Sequence, residues 1–174
     1  MKTISKLICA LAVASLTASS ALPAEDIHVA KVGIDHYRGK WLEIGCTPMF
    51  LTNGCVAGYS TYSRGKTPNE VAVEDGCRLG SPRGRLKTIH GTGAIADFGA
   101  AKAKMRVRYP LFIIFNYWVR YEAPDGSWFI STTPDMSNLW IYSRQVPTKA
   151  RLKQMVNKAS AIGYDGRKLE FPAH

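Results

Sequence analysis

Between Lys102 and Tyr109 the sequence alternates without a fault: Ala103, Met105, Val107 and Tyr109 take every second place, separated by Lys102, Lys104, Arg106 and Arg108. Side chains of an extended strand point to opposite faces in turn, so this segment has one apolar face and one face carrying four cations. Four like charges have no place in a core. The cationic face therefore meets water, the apolar face looks inward, and the chain has to supply a sheet with one wet side for this strand to join.

Seven other segments read as strands: Lys40 to Thr47, Cys55 to Ser63, Glu70 to Cys77, Arg85 to Ala96, Phe115 to Ala123, Ser127 to Thr133 and Leu139 to Arg144. Turn formers separate them, as in Thr52-Asn53-Gly54, Lys66-Thr67-Pro68-Asn69, Ser81-Pro82-Arg83-Gly84, Pro124-Asp125-Gly126 and Pro134-Asp135. Eight short strands at hairpin spacing in one domain predict an all-β fold, an up-and-down barrel or a sandwich. Gly91 and Gly93 lie in mid-strand, where a barrel needs tight bends, and favour the barrel. One helix follows. Thr148 is placed to cap it, Leu152, Met155, Val156, Ala159 and Ile162 form a one-sided apolar stripe, and Gly163 is placed to stop it. Such a helix lies against the outside of the sheet.

The first residues read as a secretory leader. Lys2 and Lys6 precede the apolar run Leu7 to Leu16, and small residues fill Thr17 to Ala24. Cleavage after Ala24 leaves 150 of the 174 residues as residues 25–174, with Ala21 the rival site. The residues before Cys9 lack the small residue that a lipidated cysteine requires. Export without a lipid anchor, to the periplasm or beyond and with the outer membrane within reach, is the expectation. Three cysteines remain. Cys55 and Cys77 each sit at a strand end flanking a hairpin and form the favoured disulfide, with Cys46–Cys55 the alternative. A free Cys46 leaves both a monomer and a disulfide-linked dimer open.

Loss of the two leader lysines takes the formal net charge from +10 to +8. That excess either solubilises the surface or attracts an anionic membrane. No basic cluster with interleaved aromatics speaks for a nucleic acid.

The order of leader, Gly39-Lys40-Trp41, eight strands and a helix resembles a lipocalin, most of all the branch of bacterial outer-membrane lipocalins and apolipoprotein D. Supporting matches are Phe50 to Tyr59 with Ala57-Gly58-Tyr59, Tyr117-Trp118-Val119, Leu139-Trp140-Ile141-Tyr142-Ser143-Arg144, and Gly163-Tyr164-Asp165. They span Val32 to Phe171. The resemblance implies an eight-stranded antiparallel barrel with the helix packed outside. It also implies that Trp41 plugs the narrow end with the Arg144 guanidinium across its indole. One element departs from the family: where relatives carry an Asp-x-x-Tyr-like turn, Asp125 is kept and the tyrosine is absent.

By the same resemblance the protein holds a small hydrophobic ligand, a fatty acid, lysophospholipid or similar lipid. Met105, Val107 and Tyr109 come from the basic strand to the inner wall. The resemblance adds Tyr59, Trp118 and Trp140, with Tyr142 on the face of Trp140. Between Asn116 and Glu122 the two arguments diverge. Periodicity puts Tyr117, Val119 and Tyr121 inside, whereas the resemblance turns Trp118 inward and with it Arg120, which could then pair with an anionic head group.

Catalytic signatures are missing. There is no Gly-x-Ser-x-Gly elbow, His-Glu-x-x-His, phosphate loop or Cys-x-x-Cys, and His28, His36, His90 and His174 are scattered as surface or capping residues without metal-ligand spacing. No cofactor or metal is expected. A lipocalin-type isomerase, a haem or pigment binder, and a basic protein that docks on membranes are the competing readings.

Overall fold

The strands fall where alternation and turn chemistry place them. The computed structural model describes residues 28–174, so the expected leader and cleavage site lie outside the described residues. Eight strands run in order: β1 (Gly39–Cys46), β2 (Cys55–Arg64), β3 (Glu70–Leu79), β4 (Leu86–Ile95), β5 (Lys104–Arg108), β6 (Ile114–Glu122), β7 (Trp128–Thr132) and β8 (Leu139–Ser143). Each pairs antiparallel with the next, and β8 pairs with β1 to close the barrel. The helix α1 (Lys149–Ala161) follows, with the Thr148 side chain accepting from the Arg151 N–H at its start. No described helix is long and apolar enough to cross a membrane.

Alternation in β5 comes out as its pattern requires. Ala103, Met105 and Val107 are buried inside while Arg106 and Arg108 are exposed. The strand begins at Lys104 rather than Lys102, because Lys102 has a positive φ and the Asp97 carboxylate accepts from the N–H groups of Ala103 and Lys104. In β4 the two glycines face inward, and their role is room rather than bending. A Cβ on Gly91 would come within 2.7–2.9 Å of Val107 and Tyr109, and one on Gly93 within 2.7 Å of the Met105 sulfur. Large side chains of β5 occupy that space.

Two apolar layers result. One fills the closed half of the barrel, from Trp41, Tyr62, Val71 and Val73 to Met105, Val107 and Phe129. The other lies between the outer wall and α1, where Met155 and Ala159 are fully buried against Ile44, Ile130, Leu139 and Ile141. The stripe read from the sequence is the buried face of the helix.

The closed end is built around Trp41, which is 1% exposed. Gly39 enters β1 with φ +70, a conformation open to glycine at little cost, and this backbone brings Arg144 over the indole. The guanidinium carbon stands 3.3 Å from the Trp41 ring centroid, and Nη1 donates to the carbonyls of Arg38 and Lys40 at 2.9 Å each. The indole N–H donates to the His36 carbonyl at 3.1 Å. His36 itself is buried, not a surface residue. Its ring packs on Phe129 and its Nδ1 lies 2.7 Å from a Glu122 carboxylate oxygen.

Trp41→Ala should lower unfolding free energy by about 3–5 kcal/mol, the usual cost of emptying a large aromatic site. Urea titration of the variant and the parent measures it. A loss under 1 kcal/mol would mean that the indole does not plug the barrel.

Candidate ligand-binding cavity

Side chains fill the closed half of the barrel, but the open half is hollow. It encloses a cavity of about 270 Å³. Phe115, Tyr117, Trp140 and Tyr142 supply most of its ring surface, with Met49, Leu51, Ile89 and Ile113 toward the mouth. The rings touch one another: Tyr117 lies 5.0 Å from Trp140, and Phe115 lies 5.9 Å from Tyr117 and 6.4 Å from Trp140. Beneath them Phe129 stacks on Tyr142 at 4.9 Å and joins the cavity floor to the closed end. The disulfide Cys55–Cys77, with Cα atoms 5.5 Å apart, ties β2 to β3 in the wall. Cys46 is a free, buried thiol.

Two carboxyl groups interrupt this lining. Asp75 accepts a hydrogen bond from Ser60 Oγ at one oxygen and from the Tyr109 hydroxyl at the other. The Tyr109 and Tyr117 hydroxyls are 3.4 Å apart, and Ser60 Oγ lies 3.5 Å from the Tyr142 hydroxyl. Burial raises the pKa of Tyr109, Tyr117 and Tyr142, which keeps them protonated and able to donate. Burial also raises Asp75, against the lowering effect of its two hydroxyl partners. Glu43 is less well supplied. Desolvation pushes its carboxyl up to about 7, with the neighbouring Cys46 thiol pulling it down and the Asp75 charge pushing it up. The Cys46 thiol is driven upward by burial and by Glu43, so it stays protonated and unreactive.

A family model described as a lipocalin-like domain matches residues 32–174. The chain belongs to the lipocalin family. Among solved structures it is similar to insecticyanin from the tobacco hornworm Manduca sexta, with 16% identity, TM-score 0.65, and 84% of this chain and 83% of that one covered. It is also similar to lobster apocrustacyanin A1, at 14% identity, TM-score 0.62, and coverage of 80% and 78%. The major allergen Per a 4 from cockroaches matches at 18% identity, TM-score 0.58, and coverage of 83% and 90%. No curated protein matches the sequence significantly.

In this lipocalin, Tyr109, Trp140 and Tyr142 stand on the cavity wall as expected from the sequence. Met105 and Val107 point inward but lie in the filled half, packed against the glycines of β4. The side chains of three expected lining residues face outward, although Tyr59 borders the cavity at the β2 wall. Tyr59 pairs with Leu42 and Gly76, which puts its ring on the outer surface over Gly76, beneath the Lys40 ammonium at 4.0 Å. Its hydroxyl donates to Glu74 there. Trp118 is also outside, with Lys104 4.4 Å and Arg120 5.1 Å from its ring centroid. Arg120 is buried, yet not in the cavity. It donates to Thr132 Oγ1 and to the carbonyls of His28 and Pro134, which staples the N-terminal segment onto the barrel.

Periodicity was the better guide for β6, up to a point. Tyr117 and Val119 face inward as alternation requires. The register then shifts between Val119 and Tyr121, so Arg120 is the bulged residue. A bulge adds one residue and reverses the faces beyond it. Tyr121 therefore leaves the interior and packs on Trp128 beneath the Lys158 ammonium of α1, and Glu122 turns in toward His36.

The residues missed were the acids. Glu43 is two places from the buried Trp41, and Asp75 is two from Val73 and from Cys77, so counting by twos along β1 and β3 puts both inside. Carboxylates read as solvent residues by habit, and that hid them. Among the described residues no group of three or more His, Cys, Asp and Glu side chains converges to hold a metal.

Both acids hold a proton more tightly in the fold than in the unfolded chain. Stability therefore falls as pH rises from about 4.5 through about 7, where Glu43 ionises. Glu43→Gln keeps the shape and removes that titration. It should shrink the stability difference between about pH 5 and about pH 8 by as much as about 3 kcal/mol. Denaturant unfolding at the two pH values tests this, and an undiminished difference would show that Glu43 is not desolvated.

Proposed function

We propose that this lipocalin binds and carries a small single-chain, lipid-like hydrophobic ligand in the open half of its barrel. The observation that carries this reading is a cavity walled by Phe115, Tyr117, Trp140 and Tyr142 in the open half of the barrel. Its volume of about 270 Å³ is at the lower edge of small-molecule sites, which run from about 300 to 1,000 Å³. That size suits one chain better than two. Burying a methylene is worth about 0.8 kcal/mol, so eight carbons contribute roughly 6 kcal/mol before the costs of association. A single cavity of this size supports one ligand per barrel. The leader-like N-terminal sequence and the disulfide support an exported carrier.

Titration with a single-chain fluorescent lipid should saturate at one equivalent. Trp140→Ala should weaken binding about tenfold, which corresponds to about 1.4 kcal/mol. Trp118→Ala and Arg120→Leu, which alter the outer wall, should leave affinity unchanged. Loss of binding in the outer-wall variants alone would move the site out of the barrel.

A second reading concerns how the ligand arrives. The loops at the cavity mouth expose Phe50, Leu111 and Phe112 at 93%, 86% and 98%. Leu111 and Phe112 both have φ near +60, a region that bulky residues seldom occupy, and the turn holds both side chains out in water. Around them stand Arg83, Arg85, Lys87 and Arg108, all exposed, and the segments 46–55, 78–87 and 106–114 contain no Asp or Glu. An apolar tip ringed by cations matches an anionic lipid surface. The protein should co-sediment with phosphatidylglycerol vesicles, less so in high salt, and the paired change Leu111→Asp, Phe112→Asp should abolish it. Equal sedimentation by that double variant would contradict docking through the mouth.

A further inference from the structure

The interior of this basic protein is acidic. Among the described residues that line the cavity, Glu43 and Asp75 carry the carboxyl groups, and Lys87 is the sole Lys or Arg. Lys87 belongs to the rim, where its exposed ammonium donates to the Leu51 carbonyl at 3.2 Å. Arg120, the cation that could have met an anionic head group, is spent on the outer wall. A ligand carboxylate or phosphate placed deep in the cavity would meet two acids and no counter-charge.

The two acids are not equivalent. Asp75 has both oxygens engaged by the hydroxyls of Ser60 and Tyr109. Glu43 has only the Cys46 thiol beside it, and its carboxyl lies against Gly58, where a Cβ would stand 3.2 Å from Oε1. No other hydrogen bond reaches its carboxyl oxygens among the described residues, and Glu43 lines the hollow. Around that hollow stand the rings of Phe115, Tyr117 and Trp140. Faces of aromatic rings carry negative potential, and cages of rings with a nearby carboxylate are how proteins take up ammonium groups.

We infer that the cavity selects an amphiphile whose head is a cationic amine or quaternary ammonium, with Glu43 as its counter-ion and the ring cluster of Phe115, Tyr117 and Trp140 around it. This rests on the reading that the cavity holds a single-chain ligand, and it specifies the head group. The formal net charge of +10 works against such a ligand at the surface, so a preference for cations can come only from the interior. Groups that feel the Glu43 charge are the Cys46 thiol of β1, Tyr62 of β2, Asp75 of β3, Tyr117 of β6 and Tyr142 of β8, and the exposed His174 ring meets the Glu43 backbone carbonyl at 2.8 Å. The thiol and the tyrosines are neutral, and the Asp75 charge adds to the field. Ionisation of Glu43 therefore strengthens the site, and affinity for a permanent cation rises between about pH 6 and about pH 8.

Calorimetric titration of the full chain with octyltrimethylammonium, octanol and octanoate, each below its micelle concentration, tests the inference. At about pH 8 the ammonium should bind at least about tenfold more tightly than octanol, and octanoate most weakly. Glu43→Gln should bring the ammonium within about twofold of octanol and leave octanol unchanged. In the parent protein, lowering the pH to about 6 should weaken the ammonium and not the alcohol, a result that needs no variant. Octanol or octanoate binding as tightly as the ammonium overturns the head-group assignment and leaves the cavity reading standing. An ammonium preference that survives in Glu43→Gln and at low pH overturns the role of Glu43. Failure of all three probes to bind overturns the cavity reading with it.

Discussion

One guanidinium holds the seam of the barrel. Arg144 lies just beyond β8, stacks on the indole that opens β1, and donates to the carbonyls on both sides of Gly39. The stack is worth roughly 0.5–2 kcal/mol and hydrogen bonds from a charged donor about 1.5–3 kcal/mol. Its larger effect is on register. A sheet closes only if its last strand meets its first in step, and a slip of one residue would turn every side chain of β1 to the other face. Trp41 inside fixes Glu43 inside, and Tyr142 opposite Glu43 is fixed with it. The composition of the cavity is thus decided at the end of the barrel where no ligand enters.

Charge is sorted by the same alternation. Lys104, Arg106 and Arg108 go out on β5, Lys40 goes out on β1, and Arg120 is drawn to the wall by neutral oxygens. Glu43 and Asp75 go in on strands whose neighbours on the same face are apolar. The result is a cationic shell around an acidic hollow. Those two fields act on a ligand at different distances. The shell governs approach over about a Debye length, and the hollow governs only a molecule already desolvated.

Most of the architecture was legible in the sequence because it follows from period-two alternation and from turn residues. Each of the eight strands, the cap at Thr148 and the pairing of Cys55 with Cys77 could be read that way. Side-chain direction was less legible wherever a bulge intervenes. Arg120 reverses β6, a shift between Val56 and Tyr59 disturbs β2, and no residue type announces either. At Trp118 and Tyr59 family likeness pointed inward, and the actual pairing with Thr132 and Gly76 put both rings outside. The acids of the cavity were present in the pattern but were masked by the expectation that carboxylates seek water. The burial of Asp75 is supported by donors that come from other strands, Ser60 on β2 and Tyr109 after β5. Linear sequence does not display such partnerships.

The glycines of β4 set a length scale. Because Gly91 and Gly93 leave space that Val107, Tyr109 and Met105 fill, the lower half of the barrel is solid, and the hollow stops well above Trp41. The barrel thus works as a stopped tube, with the stop made of side chains rather than backbone. Shortening Met105 or Val107 would lower the stop without moving a strand, whereas a side chain at Gly91 would collide with Val107 and Tyr109. The depth of this tube can thus be reset by a few inward side chains while its walls, seam and mouth stay the same.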